Sequence, residues 1–229
     1  MSRKLMIITG AGRGIGAATA RMAAARGYDL CLTYQKDSAS AEAVKHDCEA
    51  AGAKVLLLQG SVEDEAHAIG VFDAVMAQFG RVDVLVNNAG GTGPRGRLET
   101  ITHAGWANTM GANVTGLAMF CREAVKRMST KHGGKGGSIV NLSSVAARVG
   151  APGQYVDYAA SKGAIDVLTI GLGREVREGA RARTALTENE QNLLRRRTED
   201  FVRRCEQGDY GRGGFRGRDG RGTPFARNR

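Results

Sequence analysis

Residues 9–16, which read TGAGRGIG, are the feature that most limits how this chain can fold. They follow a short apolar run at residues 5–9 and lead into a helical pattern of small residues at 15–26. Glycines at a strand-to-helix turn let the backbone approach a ligand closely, while the helix N-terminus offers N–H donors and a positive dipole. The turn therefore predicts a pyrophosphate site, with a merely flexible glycine-rich turn as the alternative.

Apolar runs alternate with helical patterns along residues 1–178. Strands are predicted at residues 5–9, 29–34, 55–59, 82–87 and 138–142. Helices are predicted at residues 15–26, 40–51, 63–79, 104–130 and 158–178, the third of them with Ser61 as its N-cap. Short apolar strands separated by longer helices imply right-handed βαβ units and a parallel sheet covered on both faces. The predicted fold class is α/β, a doubly wound, Rossmann-like parallel sheet with an atypical C-terminal part.

The composition changes after Glu178. Residues 179–229 contain 13 arginines, no lysine and 7 acidic residues, so they carry +6 of the net charge of +10. We predict a dinucleotide-binding catalytic domain over residues 1–178 and a charged segment over 179–207, with a helical pattern at 187–206. Residues 208–229 form a Gly/Arg-rich tail with too little apolar surface to offset its chain entropy, and we expect it to be disordered.

Several classes of protein are excluded by composition. No apolar run is long enough for a transmembrane helix, and the N-terminal apolar stretch is too short for a signal peptide, so we expect a cytoplasmic protein without membrane contact. The four cysteines and four histidines lack the spacing of a metal site, so no metal is expected. Because the positive charge is concentrated after Glu178, a nucleic-acid partner for the body of the chain is not favoured.

Five motifs together resemble the short-chain dehydrogenase/reductase family over about residues 3–178. They are the turn with Thr9, Gly10, Gly14 and Gly16; Asn87-Asn88-Ala89-Gly90 after the fourth strand; Asn113 in the long helix; Ser144 after the fifth strand; and Tyr158 with Lys162. A lone Y-x-x-x-K pair is a weak signal, but all five motifs occur in the family's order. The neighbourhoods of Asn113 and Tyr158 look most like glucose-dehydrogenase-like and acyl-carrier-protein-reductase-like members.

The resemblance implies an enzyme that interconverts an alcohol and a carbonyl compound by hydride transfer. Tyr158 would be the acid/base, and Lys162, four residues further along the same helix face, would lower its pKa and contact the nicotinamide ribose. Ser144 would donate a hydrogen bond to the substrate oxygen, and Asn113 would hold a water that connects Lys162 to solvent. The competing Tyr155 has Ala159 in place of a lysine.

The second serine of the pair Ser143-Ser144 is favoured by the family's placement, although Ser143 competes with it. Asn87 is predicted to link strands. The predicted cofactor-binding residues follow the same motifs and are Gly10, Arg13, Gly14, Ile15, Gly16, Tyr34, Ser61, Val62, Asn88, Ala89, Gly90, Tyr158 and Lys162.

The second strand ends at Thr33-Tyr34-Gln35-Lys36 without the acidic residue that usually holds the ribose 2′-hydroxyl of NAD. Arg13 and Lys36 could face a 2′-phosphate instead, so NADP is predicted over NAD, with Asp37 as the residue that argues the other way. Family members often pair the long helix and the Tyr-Lys helix with those of a second copy, so the resemblance implies a homo-oligomer unless the loss of C-terminal elements prevents it, and the oligomeric state stays open.

The sequence departs from the family in two places. Ser61, followed by Val62, occupies the position where an acid commonly holds the adenine amine, and its hydroxyl can still form a hydrogen bond there. After Glu178 no pattern predicts the family's sixth strand, nicotinamide-covering loop, substrate lid or seventh strand. This loss would expose the sheet edge near the first strand and predicts a poorly stable protein with weak cofactor binding and slow turnover.

Two alternative functions therefore stay open, together with a non-functional origin of the tail. The chain could be a nucleotide-binding protein without catalysis, or the tail, which resembles an arginine–glycine-rich RNA-binding box at residues 210–222, could bind RNA. Arginine–glycine strings also arise when a GC-rich reading frame shifts.

Overall fold

The computed structural model describes residues 3–176 and, for the backbone alone, residues 181–187. The strands are β1 (Lys4–Ile8), β2 (Tyr28–Tyr34), β3 (Val55–Gln59), β4 (Val84–Asn87), β5 (Ser138–Ser144) and β6 (Arg181–Thr187). The α-helices are α1 (Gly14–Ala25), α2 (Ser38–Ala50), α3 (Glu65–Phe79), α4 (His103–Met110), α5 (Gly116–Met128), α6 (Ala146–Val149) and α7 (Val156–Glu175). Short 3₁₀ turns lie at Leu98–Thr100 and Thr130–His132.

Within the described residues, six parallel strands form one sheet in the order β3-β2-β1-β4-β5-β6. The chain runs outward from β1 to β3 and then returns to β4 on the other side of β1. This reversal opens a crevice between the carboxyl ends of β1 and β4, which is where open α/β sheets bind their ligands. The predicted doubly wound α/β fold is confirmed.

Alternate residues of β1 enter two separate cores, one on each face of the sheet. Met6 and Ile8 pack in the core that contains the alanines of α1, whereas Leu5 and Ile7 pack in the core that contains Phe72 of α3 and Phe120 of α5. Because successive side chains of a strand point to opposite faces, an uninterrupted apolar strand requires helices on both sides. The sequence KLMII of β1 therefore dictates the layered arrangement.

Two local predictions were wrong. The single helix predicted over residues 104–130 is divided by a π-helical turn, Gly111–Thr115, between α4 and α5. The N-cap of α3 is Asp64, whose carboxylate accepts a hydrogen bond from the backbone of Ala66, and not Ser61. Ser61 lies three residues earlier and accepts from the backbone N–H of Glu63 at 3.3 Å.

The strand β6 corrects the expectation that the sheet pattern ends after Glu178. It pairs with β5 along its whole length, from Ser138 opposite Arg181 to Ser144 opposite Thr187. Its sequence RARTALT lacks the apolar run that buried parallel strands usually show, so the pattern did not reveal it. The expectation of an exposed edge near the first strand is also wrong, because β1 lies between β2 and β4.

The strand β6 falls inside the segment predicted to be separate at residues 179–207. The helical pattern at 187–206 lies outside the described residues apart from Thr187, and the Gly/Arg-rich tail lies entirely outside them. None of the helices in the described part is long and apolar enough to cross a bilayer. The same part of the chain contains no group of His, Cys, Asp or Glu residues arranged to hold a metal ion.

Candidate functional site

The glycine-rich turn between β1 and α1 is closed by backbone contacts that exclude side chains. Gly10 has a φ of +64°, and a Cβ on Gly16 would lie 2.5 Å from the carbonyl oxygen of Gly10. Gly14 has a φ of +56° and open space where its Cβ would be. Gly10 and Gly16 thus allow the turn to close, whereas Gly14 leaves its outer side open to a ligand.

Asn88 and Thr9 hold this turn against the end of β4. The Asn88 side-chain amide donates to the carbonyl oxygens of Thr9 and Gly10, at 2.8 and 2.9 Å. The Thr9 hydroxyl oxygen accepts from the backbone N–H groups of Asn88 and Ala89, at 3.0 and 2.9 Å. The side chain of Asn88, predicted to line a cofactor, is therefore engaged with the turn itself.

The helix α1 begins immediately after the turn and has no side-chain cap. Its N-cap residue is Arg13, which makes no capping hydrogen bond, and its first turn contains no acidic residue. Ile15, in that first turn, packs partly against the core beside β1. The first N–H groups of an α-helix have no partner within the helix, so those of α1 are available to a ligand at the turn.

The ends of β2 and β3 lie beside the turn, on the same edge of the sheet. The backbone N–H of Ala11 donates to Thr33 in β2, and that of Gly60 donates to Tyr34. The Gln35 amide donates to the Ser61 hydroxyl at 3.3 Å. A Cβ on Gly116 would lie 2.5 Å from the carbonyl oxygen of Val62, so α5 packs directly on the loop after β3. Tyr34, Ser61 and Val62 are thus brought to the edge that carries the glycine turn.

Asp37 caps α2. Its carboxylate accepts from the Ser40 backbone at 3.0 Å and from the Ser40 hydroxyl at 2.6 Å. These bonds lower the pKa of Asp37, and the positive charge of Arg13 lowers it further. Arg13 and the neighbouring Lys36 are exposed. The carboxylate of Asp37, which could have held the ribose 2′-hydroxyl of NAD, therefore caps α2 near Arg13 instead.

Lys162 and Tyr158 share one face of α7, as their spacing predicts. The Lys162 ammonium lies 5.5 Å from the centroid of the Tyr158 ring and donates to the carbonyl oxygen of Leu142 in β5 at 2.7 Å. Lys162 is only 5% exposed. Burial lowers the pKa of Lys162 to about 8, and the charge of Asp166 acts in the opposite direction. The ammonium is thus fixed between β5 and the phenol.

Ser143 and Ser144, at the end of β5, face different partners. The Ser143 hydroxyl donates to the backbone carbonyl of Lys162 at 3.2 Å and lies inside the fold. The Ser144 oxygen instead accepts from the backbone N–H of Ala146 at 3.2 Å. Because a hydroxyl that accepts can still donate, Ser144 retains a proton for another acceptor.

Asn113 lies in the π turn and is fully buried. Its side-chain oxygen accepts from the backbone N–H of Gly91 at 2.9 Å, and its amide nitrogen donates to the carbonyl of Gly91 and to the Ser161 hydroxyl. A Cβ on Gly90 would lie 2.6 Å from the Asn113 oxygen and 4.0 Å from the Lys162 ammonium. Gly90 therefore lets Asn113 and Lys162 approach the same stretch of backbone.

Two contacts bear on residues outside the predicted site. Asn87 donates to the Asn141 side chain at 2.9 Å, so its predicted role in linking strands is confirmed. Ser161 was missed, although its position between Tyr158 and Lys162 on one helical turn could have revealed it. Its hydroxyl donates to the Tyr158 carbonyl at 2.7 Å and accepts from Asn113.

Comparisons with known proteins agree with this geometry. The sequence model of the family described as short chain dehydrogenase matches residues 4–182. YgfF of Escherichia coli K12, named an uncharacterized oxidoreductase, is 46% identical over 172 residues, which cover 75% of this chain and 70% of that protein. The 3-oxoacyl-[acyl-carrier-protein] reductase FabG of Staphylococcus aureus is 35% identical over 76% of this chain and 68% of its own length.

Among solved structures, a double mutant of a Serratia marcescens short-chain dehydrogenase/reductase superimposes with a TM-score of 0.73 at 29% identity. The match covers 79% of this chain and 72% of that one.

Proposed function

The chain belongs to the short-chain dehydrogenase/reductase family, and from this premise we propose that it is an NADP(H)-dependent oxidoreductase that interconverts an alcohol and a carbonyl compound. The observation that carries the proposal is the buried Lys162 ammonium beside the Tyr158 ring, next to the end of β5 where Ser144 retains a proton to donate. A phenol with an ordinary pKa near 10 is a poor acid/base at neutral pH unless a cation stabilises its anion.

The residues at the carboxyl edge of the sheet fit a dinucleotide. The closed turn with an open outer side at Gly14, followed by a helix without a capping side chain, supports pyrophosphate binding at α1. Gly10, Gly16 and Asn88 give the turn its shape, and Ile15 supports its first helical turn. Tyr34, Ser61 and Val62 would face the adenosine half, and Ala89 and Gly90 the ribose next to Lys162.

When bound, the nicotinamide supplies the hydride. Tyr158 donates a proton to the substrate oxygen as carbonyl becomes alcohol, and Lys162 stabilises the phenolate left behind. Ser144 donates a hydrogen bond to the same oxygen and stabilises its developing charge. The carbonyl substrate is a small ketone, an aldehyde or a 3-oxoacyl thioester, the last because the Staphylococcus aureus relative is named for it.

A water held at Asn113 would restore the proton of Tyr158 by way of Lys162. Both amide protons of the Asn113 side chain are donated, to Gly91 and to Ser161, and its oxygen accepts from Gly91, so we place the proposed water on the backbone of the π turn. A π turn interrupts the i to i+4 bonding of a helix and occurs frequently at functional sites.

The α7 residues Val167 and Ile170 are exposed, which supports pairing of this helix with a second copy of the chain.

We predict that NADPH binds more tightly than NADH. No acidic side chain ends β2, Asp37 is committed to Ser40, and Arg13 with Lys36 offers two cations to a 2′-phosphate. In a calorimetric titration, NADPH should bind at least about tenfold more tightly than NADH, and Arg13→Ala with Lys36→Ala should remove most of that difference. Tighter binding of NADH by the unaltered protein would overturn the assignment.

We also predict that carbonyl reduction slows in alkaline solution. Lysine is charged below its pKa, and burial lowers the pKa of Lys162 to about 8. As the pH rises through that value the ammonium is lost, and Tyr158 loses the cation that tunes it. A pH profile of kcat/KM should therefore fall above about pH 8, whereas a constant value from about pH 7 to about pH 10 would contradict this role of Lys162.

A further inference from the structure

Two polar contacts, one helical turn apart, join the α4–π-turn segment to α7. One is the bond from Asn113 to the Ser161 hydroxyl at 2.9 Å, and the other is the bond from the Thr109 hydroxyl to the Asp157 carboxylate at 2.7 Å. The two partners on each side are four residues apart, so the contacts lie along the same face of each helical segment. Tyr158 follows Asp157 directly and precedes Ser161 on the intervening turn.

A glycine of the loop after β4 lies beside each of these two contacts. Asn113 bonds to both backbone groups of Gly91. A Cβ on Gly93 would lie 3.1 Å from the Asp157 carboxylate and 3.2 Å from the Thr109 hydroxyl, so the backbone passes directly over this pair. The loop is tied a third time where the N–H of Gly96 donates to the carbonyl of Gln154, just before α7.

The position of the Asp157 carboxylate is energetically unfavourable. Asp157 is only 2% exposed, and one of its oxygens has no hydrogen-bond partner within the described residues. Burying a carboxylate is unfavourable unless hydrogen bonds or opposite charges compensate for its lost hydration. The single Thr109 proton could also go to the Gly105 carbonyl at 3.1 Å, but the shorter contact and the negative charge favour Asp157.

We propose that Thr109 and Asp157 are positioning residues that fix the loop of residues 91–96 beside the turn of α7 that carries Tyr158. They thereby set the substrate side of the site. This inference rests on the proposed function. The contacts of the pair lie in that loop and in α4, whereas the cofactor turn is held separately by Thr9 and Asn88. Loss of the contact should therefore change substrate recognition more than cofactor binding.

The test compares Thr109→Val, which removes the donor at similar volume, with Thr109→Ser, which keeps the hydroxyl. Thr109→Val should raise the KM for the carbonyl about tenfold, with kcat and the Kd of NADPH changed less than about threefold. Amide exchange in residues 91–96 should quicken about tenfold, and Thr109→Ser should restore both readouts. Asp157→Asn, whose amide oxygen can still accept from Thr109, should raise both readouts less than Thr109→Val does, and it is compared with the unaltered protein if Thr109→Val does not fold.

The amide-exchange measurement needs no turnover, so it separates this inference from the proposed function. If the unaltered protein reduces no carbonyl, quicker exchange confined to residues 91–96 still supports the positioning role. Unchanged exchange and KM in Thr109→Val would overturn it. A lower melting temperature with unchanged exchange and KM would also overturn it, because the contact would then contribute to stability alone.

Discussion

Replacing Tyr158 by phenylalanine should lower the rate of carbonyl reduction at least about a hundredfold, because general acid catalysis by a positioned side chain contributes about that much or more. The substitution removes the proton donor but keeps the ring that faces Lys162 at 5.5 Å. Most of the proposed cofactor contact lies at the glycine turn and the ends of β2 and β3. The Kd of NADPH should therefore stay within about twofold of the original value.

The matched control is Tyr155→Phe, one turn earlier. Tyr155 is the N-cap residue of α7, makes no side-chain capping bond and is followed four residues later by Ala159 rather than a lysine. Its substitution should leave the rate within about twofold, because no cation is placed to tune that phenol. Retention of more than about a tenth of the rate in Tyr158→Phe would remove Tyr158 from its assigned role.

Replacing Gly16 by alanine should raise the Kd of NADPH at least about a hundredfold. The new Cβ would lie 2.5 Å from the Gly10 carbonyl oxygen and 2.6 Å from the Asn88 amide nitrogen. These atoms belong to the backbone of the turn and to the side chain that ties the turn to β4. The turn must therefore open, and its N–H groups lose their alignment toward an anion.

The matched control is Gly70→Ala in the middle of α3. Gly70 is exposed and has nothing within 4 Å of the added Cβ, so its replacement should raise the free energy of unfolding by about 0.5–1 kcal/mol without altering the Kd of NADPH. Calorimetry and thermal melts of both variants give the comparison. A cooperatively melting Gly16→Ala protein that binds NADPH as tightly as the original would contradict the proposed role of the turn.

Local patterns were sufficient to predict the body of the fold. β1 is apolar at every core position, and Gly10 and Gly16 of the following turn stand where a Cβ would crowd its neighbours, so both signals lie within a few residues of each other. The same holds for Tyr158 and Lys162, whose spacing alone places them on one helix face. In contrast, β6 was missed because its pairing with β5 is visible only in three dimensions.

The remaining misses depend on contacts between distant parts of the chain. Thr109 and Asp157 are separated by 48 residues, and neither neighbourhood contains a signal for the other. The amide of Asn88 reaches back 79 residues to the Thr9 carbonyl, so its motif alone could not show that its side chain serves the turn. The π turn at Asn113 requires a backbone distortion that an amphipathic pattern does not encode.

In the proposed reaction this chain transfers a hydride from NADPH to a carbonyl carbon, and Tyr158 donates the proton. The direct measurement uses NADPH with deuterium at the transferred position and a panel of small ketones, aldehydes and 3-oxoacyl thioesters, with the products analysed by mass spectrometry. We expect an alcohol that carries deuterium on its carbinol carbon, formed at least about a hundredfold more slowly by Tyr158→Phe. Tight NADPH binding without deuterium in any product would contradict it and indicate a nucleotide-binding protein without hydride transfer.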